Sequence, residues 1–294
     1  MKILIIAVLL LISQISAAQV KPFEVLNPQV SQGDTLIIRI NPQWQGPGAG
    51  MLIDGRGYAP NKFGYVYVGI RVDVEPAKYQ VFLTEYGQIK TDILPAEFEV
   101  SEKYFNEWFR GKSPVLAKAT QERLTKDQTL KNRAYSSINL LEDYTIGKYR
   151  EPLDNMEVKD EFGTKRIYGA YDKKKKNIKI ERIVPHGGVD LRATIGTKVY
   201  AINSGKVILA KRMLADGNIL MIDHGSGIVS MYLHLAKFTV REGSIVKNGQ
   251  NDQLIAYSGN TGGRNVPPHL DFRIKVHGTY VDPLKFIEIS NQLK

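Results

Sequence analysis

Short runs of β-branched and aromatic residues, each bounded by Gly, Pro, Asn or Asp, recur along most of this sequence. Runs of this length between turn-forming residues are typical of antiparallel β-strands, and they leave little room for long helices. They occur at residues 35–40, 64–70 and 78–83, and again at 198–201, 205–209, 219–222 and 228–233. The chain is therefore predicted to be mainly β.

The 294 residues divide into two β-rich regions with a different stretch between them. This length suits two domains of roughly 150 residues each. Residues 19–100 are predicted to form an immunoglobulin-like β-sandwich, because short strands alternate there with turn clusters. Residues 101–149 are predicted to be a helical connector, since Ser-Pro at 113–114 is a typical helix start and the following stretch lacks Gly and Pro. Residues 150–294 are predicted to form the second β-rich domain.

The first eighteen residues have the pattern of a secretory signal peptide. Lys2 supplies a positive charge, residues 3–12 are an apolar run, and the small residues at 16–18 offer a cleavage site. An apolar run of this length is too short to span a bilayer. We therefore expect residues 1–18 to be a signal peptide. The rest is expected to be exported to the periplasm or cell envelope, or secreted, without stable membrane insertion.

Composition narrows the classes of function and of partner. With 43% hydrophobic and 24% charged residues, the chain has the make-up of a globular protein, which argues against disorder and against a multi-span membrane protein. The formal net charge is +10, and residues 150–294 hold 23 basic against 15 acidic residues. This excess suits an anionic polymer. Basicity alone would suit nucleic acid equally, but the expected export argues against that partner.

Two His–Asp pairs have the spacing of metal ligands. The sequence contains no Cys, so any metal must be held by His, Asp or Glu. His186 and Asp190 are four residues apart, and His269 and Asp271 are two apart, which places each pair on one face of a strand. A catalytic zinc site takes three such protein ligands and leaves one position for water. A His in a strand is also commonly structural, and this alternative stays open for both pairs.

The ordered motifs of the second region resemble those of a known family. They are HGGVDL at 186–191, GTKVYAINSGKVILA at 196–210, DHGSGIVSMYLHL at 223–235, GNTGG at 259–263, PPHLDF at 267–272 and VDPLKF at 281–286. Over roughly residues 165–287 this set resembles the lysostaphin-like, or LytM-type, zinc endopeptidases, which cut peptidoglycan peptides. The resemblance implies a β-rich lysostaphin-like peptidase fold for the C-terminal domain, Zn²⁺ as cofactor and peptidoglycan as substrate.

The resemblance also implies a role for each matching residue. His186 and Asp190 match two zinc ligands, His234 matches a catalytic His that acts on the water or the oxyanion, and His269 matches the catalytic base. The third ligand of the family is a His, and this sequence has Asp271 at that position. Aspartate is itself a zinc ligand, so Asp271 is expected to complete the metal site. A second carboxylate also shifts the preference toward another divalent metal such as Mn²⁺.

The expected function is metal-dependent hydrolysis of peptide bonds in bacterial peptidoglycan. Two alternatives remain open at this point. In the first, Asp271 marks a degenerate peptidase fold that binds the cell wall or activates another wall hydrolase. In the second, the chain is a scaffold whose N-terminal domain binds a protein partner.

Overall fold

The computed structural model describes residues 20–112, 117–172, 177–247, 254–262 and 267–292. Two predicted features therefore lie outside the described residues: the signal peptide and the helix start at 113–114. Within the described ranges, no helix combines the length and the apolar character that a membrane span requires.

The N-terminal region consists of short strands arranged in two sheets. One sheet has the order β1–β3–β6, and the other has the order β2–β9–β7–β4–β5 with β8 paired to β7. The strands are β1 (Phe23–Val25), β2 (Gln29–Ser31), β3 (Thr35–Ile40), β4 (Ala49–Ile53), β5 (Arg56–Tyr58), β6 (Tyr65–Gly69), β7 (Ala77–Glu85), β8 (Gln88–Ile89) and β9 (Ala96–Ser101), with a 3₁₀ turn at Pro42–Trp44.

Apolar side chains from both sheets meet in one buried cluster. Leu36 and Ile38 alternate along β3, and they pack in the same cluster as Met51 of β4 and Leu83 of β7. Side chains two residues apart on a strand project to the same face, which lets the two sheets pack face to face. The predicted strands at 35–40, 64–70 and 78–83 are present as β3, β6 and β7. The immunoglobulin-like assignment of this sandwich stays a prediction.

The stretch predicted as a helical connector contains both a strand and a helix. Strand β10 spans Glu107–Gly111, and helix α1 spans Lys118–Ser136. Leu130 and Ala134 of α1 pack in a cluster with Ile208 and Met213 of the C-terminal region. The helix therefore lies against the second β-rich region and is not a free linker.

The C-terminal region is built around one large antiparallel sheet with the central order β11–β14–β21–β18–β17–β16–β19. Strands β15 and β20 pair with each other, β20 also pairs with β18, and β22 pairs with β21. Strands β12 and β13 form a separate three-stranded sheet with β10. The elements are β11 (Val158–Asp160), β12 (Lys165–Asp172), β13 (Asn177–Pro185), β14 (Val189–Arg192), β15 (Lys198–Tyr200), β16 (Gly205–Met213), β17 (Gly217–Gly225), β18 (Ile228–Phe238), β19 (Ile245–Val246), β20 (Leu254–Ser258), β21 (His269–Val276), β22 (Thr279–Val281) and α2 (Pro283–Gln292).

The two β-rich regions share an apolar boundary. Ile37 and Tyr67 of the sandwich belong to the same buried cluster as Phe286 of α2, and the Tyr67 and Phe286 rings lie 6.4 Å apart between centroids. At the edge of this boundary, Asn61 Nδ2 donates to Asp143 Oδ2 at 2.8 Å and Lys103 pairs with Asp282 at 3.1 Å. This contact fixes the sandwich against the domain that carries the predicted site. The predicted boundaries at 100 and 149 stay a prediction.

Candidate active site

Three aspartates stand side by side on neighbouring strands of the large sheet. Asp160 of β11 is the cross-strand partner of Asp190 of β14, and Asp190 is in turn the partner of Asp271 of β21. Directly opposed residues in antiparallel strands project to the same face of a sheet. The strand register therefore gathers three carboxylates at one place.

His186 lies just before β14 and projects toward this row. Its Nε2 atom is 3.0 Å from Asp190 Oδ1, and its imidazole is fully buried. Its main chain is anchored to Thr164, whose carbonyl accepts the His186 N–H at 2.9 Å. Between the two residues, Gly188 leaves no room for a side chain, because an added Cβ would lie 2.3 Å from the Phe272 carbonyl oxygen. The glycine thus allows the chain to approach β21 closely enough for His186 and Asp190 to converge.

One arginine holds the outer oxygens of two of the aspartates. Arg166 donates to Asp160 Oδ2 at 2.8 Å and to Asp190 Oδ2 at 3.3 Å. The other oxygen of each carboxylate, Asp160 Oδ1 and Asp190 Oδ1, is buried and has no hydrogen-bond partner among the described residues. Both ring nitrogens of His186 are likewise buried without a partner among these residues. Within the described ranges, Asp160, His186 and Asp190 each offer a ligand atom within 4.8 Å of the others.

Asp271 has a different environment from its two neighbours. Both of its oxygens accept from Arg273, Oδ1 from Nε at 2.8 Å and Oδ2 from a terminal nitrogen at 2.5 Å. Burial favours a raised pKa for Asp271, but the charge and hydrogen bonds of Arg273 outweigh it and hold the pKa below the usual range. Asp271 is thus ionised and paired. It lies beside the cluster of Asp160, His186 and Asp190 and is not one of its members.

His234 reaches the site through a bulge in β18. Two residues, Leu233 and His234, oppose Ile219 alone, and His234 has a left-handed backbone with φ of 61°. Its Nδ1 lies 2.8 Å from the Thr261 carbonyl oxygen. Because a carbonyl oxygen only accepts, Nδ1 carries the hydrogen and Nε2 holds the lone pair of the neutral ring. Burial lowers the pKa of His234, which favours this neutral form.

His269 begins β21 and faces His234. The two rings lie 4.8 Å apart between centroids, and His269 Nε2 is 3.8 Å from Asp190 Oδ1. Its Nδ1 is 2.8 Å from the Pro267 carbonyl oxygen, so Nδ1 is again the donor and Nε2 the acceptor. The structure therefore brings together all five residues predicted for the site.

Comparison with known proteins identifies this part of the chain. Residues 184–283 match peptidase family M23, and this range includes His186, Asp190, His234, His269 and Asp271. These residues form an M23 peptidase domain. The predicted resemblance to lysostaphin-like peptidases is thereby confirmed, and so is the prediction of a mainly β chain.

Two curated relatives are named after an activity on the cell wall. The chain is 40% identical over 193 residues to the peptidoglycan DD-endopeptidase ShyB of Vibrio cholerae, an alignment that covers 63% of this chain and 41% of ShyB. It is 37% identical over 120 residues to the peptidoglycan DD-endopeptidase ShyA of the same organism, which covers 41% of this chain and 27% of ShyA. The chain thus spans less than half the length of either relative.

A solved structure shares the fold over most of the chain. A peptidase M23 structure from Pseudomonas aeruginosa superposes with a TM-score of 0.62 at 21% sequence identity, covering 87% of this chain and 94% of that one. At this identity the likeness concerns the fold alone.

Two loops meet at His234 of the M23 domain. The carbonyl of Asp216, in the turn between β16 and β17, accepts the His234 N–H at 3.0 Å, and the loop that begins at Gly259 supplies Thr261. Helix α1 braces this turn, because Lys131 pairs with Asp216 at 2.6 Å. The part of the second loop at 263–266 lies outside the described residues.

The N-terminal sandwich also contributes to the surroundings of the M23 site. A cavity of about 360 Å³ opens beside His186, and its lining includes Tyr280 of β22 together with residues 71–73 from the turn after β6. Within that turn Arg71 and Asp73 form a two-point ion pair at 2.8 and 2.6 Å. The sandwich thus forms part of one wall next to the candidate metal ligands.

The remaining two histidines of the M23 domain are packing elements. His224 is fully buried, with Nδ1 2.7 Å from the Ser204 carbonyl oxygen and Nε2 2.8 Å from Ser230 Oγ. His277 lies in the turn between β21 and β22 with φ of 45°, and its ring packs edge-on against Tyr58 of the sandwich at 5.4 Å. Both side chains therefore have structural surroundings.

Sequence reasoning missed three charged residues of the site. Arg273 had a usable signal, since it is two residues from Asp271 and period-two alternation puts both on one strand face. Asp160 and Arg166 had none, because they precede the recognisable motifs and resemble ordinary surface charges in the sequence.

Proposed function

We propose that this chain is a metal-dependent endopeptidase that hydrolyses peptide bonds in peptidoglycan. One observation carries the proposal: His186 Nε2 and Asp190 Oδ1 converge at 3.0 Å, buried and without hydrogen-bond partners among the described residues, next to the acceptor nitrogen of His269. Buried polar atoms are rarely left unsatisfied, and a bound cation accounts for atoms that all present lone pairs. The activity after which the ShyB and ShyA relatives are named supports the same proposal.

The donor set fits a divalent metal. His186 and Asp190 supply one imidazole nitrogen and one carboxylate oxygen, a combination typical of zinc, and Zn²⁺ is the metal proposed here, with Mn²⁺ as the alternative. The sequence predicts Asp271 as the third ligand. Its two-point pairing with Arg273 occupies one lone pair on each oxygen, so Asp271 as a ligand stays a prediction.

Proton transfer is assigned to His269. A divalent metal bound at this site supplies a Lewis acid that polarises the scissile carbonyl and acidifies a nearby water. His269 Nε2 accepts a proton from the attacking water, since its Nδ1 hydrogen is committed to the Pro267 carbonyl. The same nitrogen then returns the proton to the leaving amine. The carbonyl contact keeps the ring oriented through both transfers.

His234 is assigned to the oxyanion that develops on the reacting carbonyl. In its neutral form it offers only a lone pair at Nε2, so it donates a hydrogen bond to the developing oxyanion only after taking up a proton. His269 holds the proton released from water, so the proton that His234 needs in order to donate is taken up from bulk solvent. The bulge at His234 fixes the ring at the position that this donation requires.

The substrate and location follow from charge and sequence pattern. Residues 150–294 carry a positive excess, which suits the carboxylates of peptidoglycan. We propose that the protein acts in the periplasm or cell envelope after export, with peptidoglycan as its partner. Binding of a protein partner by the N-terminal sandwich stays a prediction.

One observation favours a second candidate function. Arg273 places a fixed cation beside Asp271, at the position where the family ligand is expected, and a fixed cation there opposes binding of a divalent metal. On that basis the domain is a degenerate peptidase fold that binds the wall or activates another hydrolase. This candidate predicts wall binding with neither metal binding nor cleavage.

Digestion of isolated sacculi separates the two candidates. The parent protein is loaded with zinc, and release of soluble fragments is compared with chelator-treated protein and with His186→Ala. The endopeptidase proposal predicts release only by the loaded parent. Stable wall binding by all three proteins without any release by the parent contradicts it and supports the degenerate fold.

A further inference from the structure

We infer that Asp160 is the third protein ligand of the metal, in the place that the sequence assigns to Asp271. The inference rests on the proposed function in one respect, the presence of a metal on His186 and Asp190. It adds a ligand from a strand that lies outside the M23-matching range of 184–283.

The hydrogen bonds of Arg166 distinguish the two oxygens of each neighbouring carboxylate. The guanidinium binds Oδ2 of Asp160 and Oδ2 of Asp190, which leaves both Oδ1 atoms without a hydrogen-bond partner among the described residues. Asp190 Oδ1 lies 3.0 Å from His186 Nε2, and Asp160 offers a ligand atom within 4.8 Å of the other two residues. An outer partner that fixes the orientation of a ligand is a common feature of metal sites. Arg166 therefore orients two carboxylates toward one point.

The burial of Asp160 requires a compensating partner. Its side chain is only 2% exposed, and its Oδ1 atom has no hydrogen-bond partner among the described residues. A buried carboxylate oxygen without a partner is costly unless a cation or a donor satisfies it. Its nearest candidates for a shared ion are the equally unsatisfied atoms of His186 and Asp190, within 4.8 Å.

Charge also favours Asp160 over Asp271. Asp160 and Asp190 share the single cation Arg166, which leaves a local charge of about −1 for a divalent metal to offset. Asp271 has Arg273 to itself, so that pair is neutral. A metal on Asp160, His186 and Asp190, with Arg166 beside it, has a total charge of about +1. Two histidines and one aspartate around a divalent metal give the same value.

Two charge-conserving double variants test the inference. Asp160→Asn with Arg166→Gln removes the proposed ligand, and Asp271→Asn with Arg273→Gln removes the other carboxylate, each without changing the net charge. Zinc affinity of the full chain is measured by calorimetry. Visible absorption of the Co²⁺-loaded proteins reports the number of ligands independently of activity. Asp154→Asn, an exposed carboxylate outside the site, is the matched control.

The expected result is an affinity loss of at least tenfold, with weaker Co²⁺ absorption, for the Asp160 variant. The zinc affinities of the Asp271 double variant and of Asp154→Asn should stay within about threefold of that of the parent. This corresponds to a change of less than about 1 kcal/mol in the free energy of binding. The reverse order of the two double variants overturns the inference. If the Asp160 double variant does not fold by circular dichroism, the nearly isosteric Asp160→Asn replaces it, with the same expected loss.

His186→Ala separates this inference from the proposed function. If the parent binds zinc and His186→Ala does not, the metal site stands, and the Asp160 variants alone decide the third ligand. If the parent binds no zinc, or His186→Ala binds it as tightly as the parent, the proposed metal site fails, and the inference fails with it.

Discussion

Arg273 donates to both carboxylate oxygens of Asp271, two residues earlier on the same strand, at 2.8 and 2.5 Å. The Asp271 side chain is 3% exposed and that of Arg273 is 20% exposed, so the pair is largely removed from water. Such a pair is compensated when intact, and it becomes costly when one partner is lost. Asp271 thus has a structural partner besides any metal.

Asp271→Ala should lower the free energy of unfolding by about 3 kcal/mol, because it leaves Arg273 as a buried cation without its partner. The measurement is urea-induced unfolding of the metal-free protein. Asp271→Leu combined with Arg273→Met removes both charges and should recover most of the loss. Equal destabilisation by the single and double variants would show that the ion pair is not what stabilises this position.

His269→Gln should reduce kcat by about 10²- to 10⁴-fold, since it removes the acceptor nitrogen assigned to proton transfer. Zinc affinity should change little, because His269 is not assigned as a ligand. Steady-state hydrolysis of a soluble cross-linked muropeptide and zinc calorimetry on the same preparation provide the two readouts. Loss of zinc binding in step with kcat would instead place His269 among the ligands.

The stability of the chain should fall at mildly acidic pH in part through His277. Burial lowers the pKa of His277 in the folded chain, below the value near 6.5 of an unfolded His. As the pH falls through 6.5, the unfolded state therefore takes up a proton that the folded state does not, and the free energy of unfolding decreases.

The variant His277→Asn tests this contribution, since Asn tolerates the left-handed backbone of that turn. Between pH 7.5 and pH 5.5, the melting temperature of the variant should fall less than that of the parent. The variant should also melt lower than the parent at pH 7.5, because its contact with Tyr58 is gone. An identical fall in melting temperature in both proteins would exclude His277 as a source of the loss of stability at acidic pH.

The sequence predicted strands best where their residues are apolar. Strand β3 matches its predicted range of 35–40. Strand β17 extends beyond the predicted 219–222 to Gly225, because the polar residues Asp223 and His224 are satisfied inside the fold. Asp223 accepts from the Asn139 N–H, and His224 contacts Ser204 and Ser230. Hydropathy alone gives no indication of such distant partners.

Contacts between residues far apart in sequence also limit how much of the site can be predicted. His186, Asp190, His234 and His269 belong to local motifs, so spacing and resemblance were enough to select them. Asp160 joins them only through the pairing of β11 with β14, which connects residues far apart in sequence. Its neighbours Lys159 and Glu161 give it the appearance of a solvated charge cluster. Strand register, which the sequence does not reveal, decides its position.

Mass spectrometry of cross-linked muropeptides tests the central claim most directly. Zinc-loaded parent protein and His186→Ala are each incubated with purified dimeric muropeptides, and the products are sequenced by fragmentation. The account predicts that the parent alone yields monomers with a new amine and a new carboxylate at one peptide bond, the glycan being intact. Unchanged dimers in the presence of parent protein with stoichiometric zinc would contradict it.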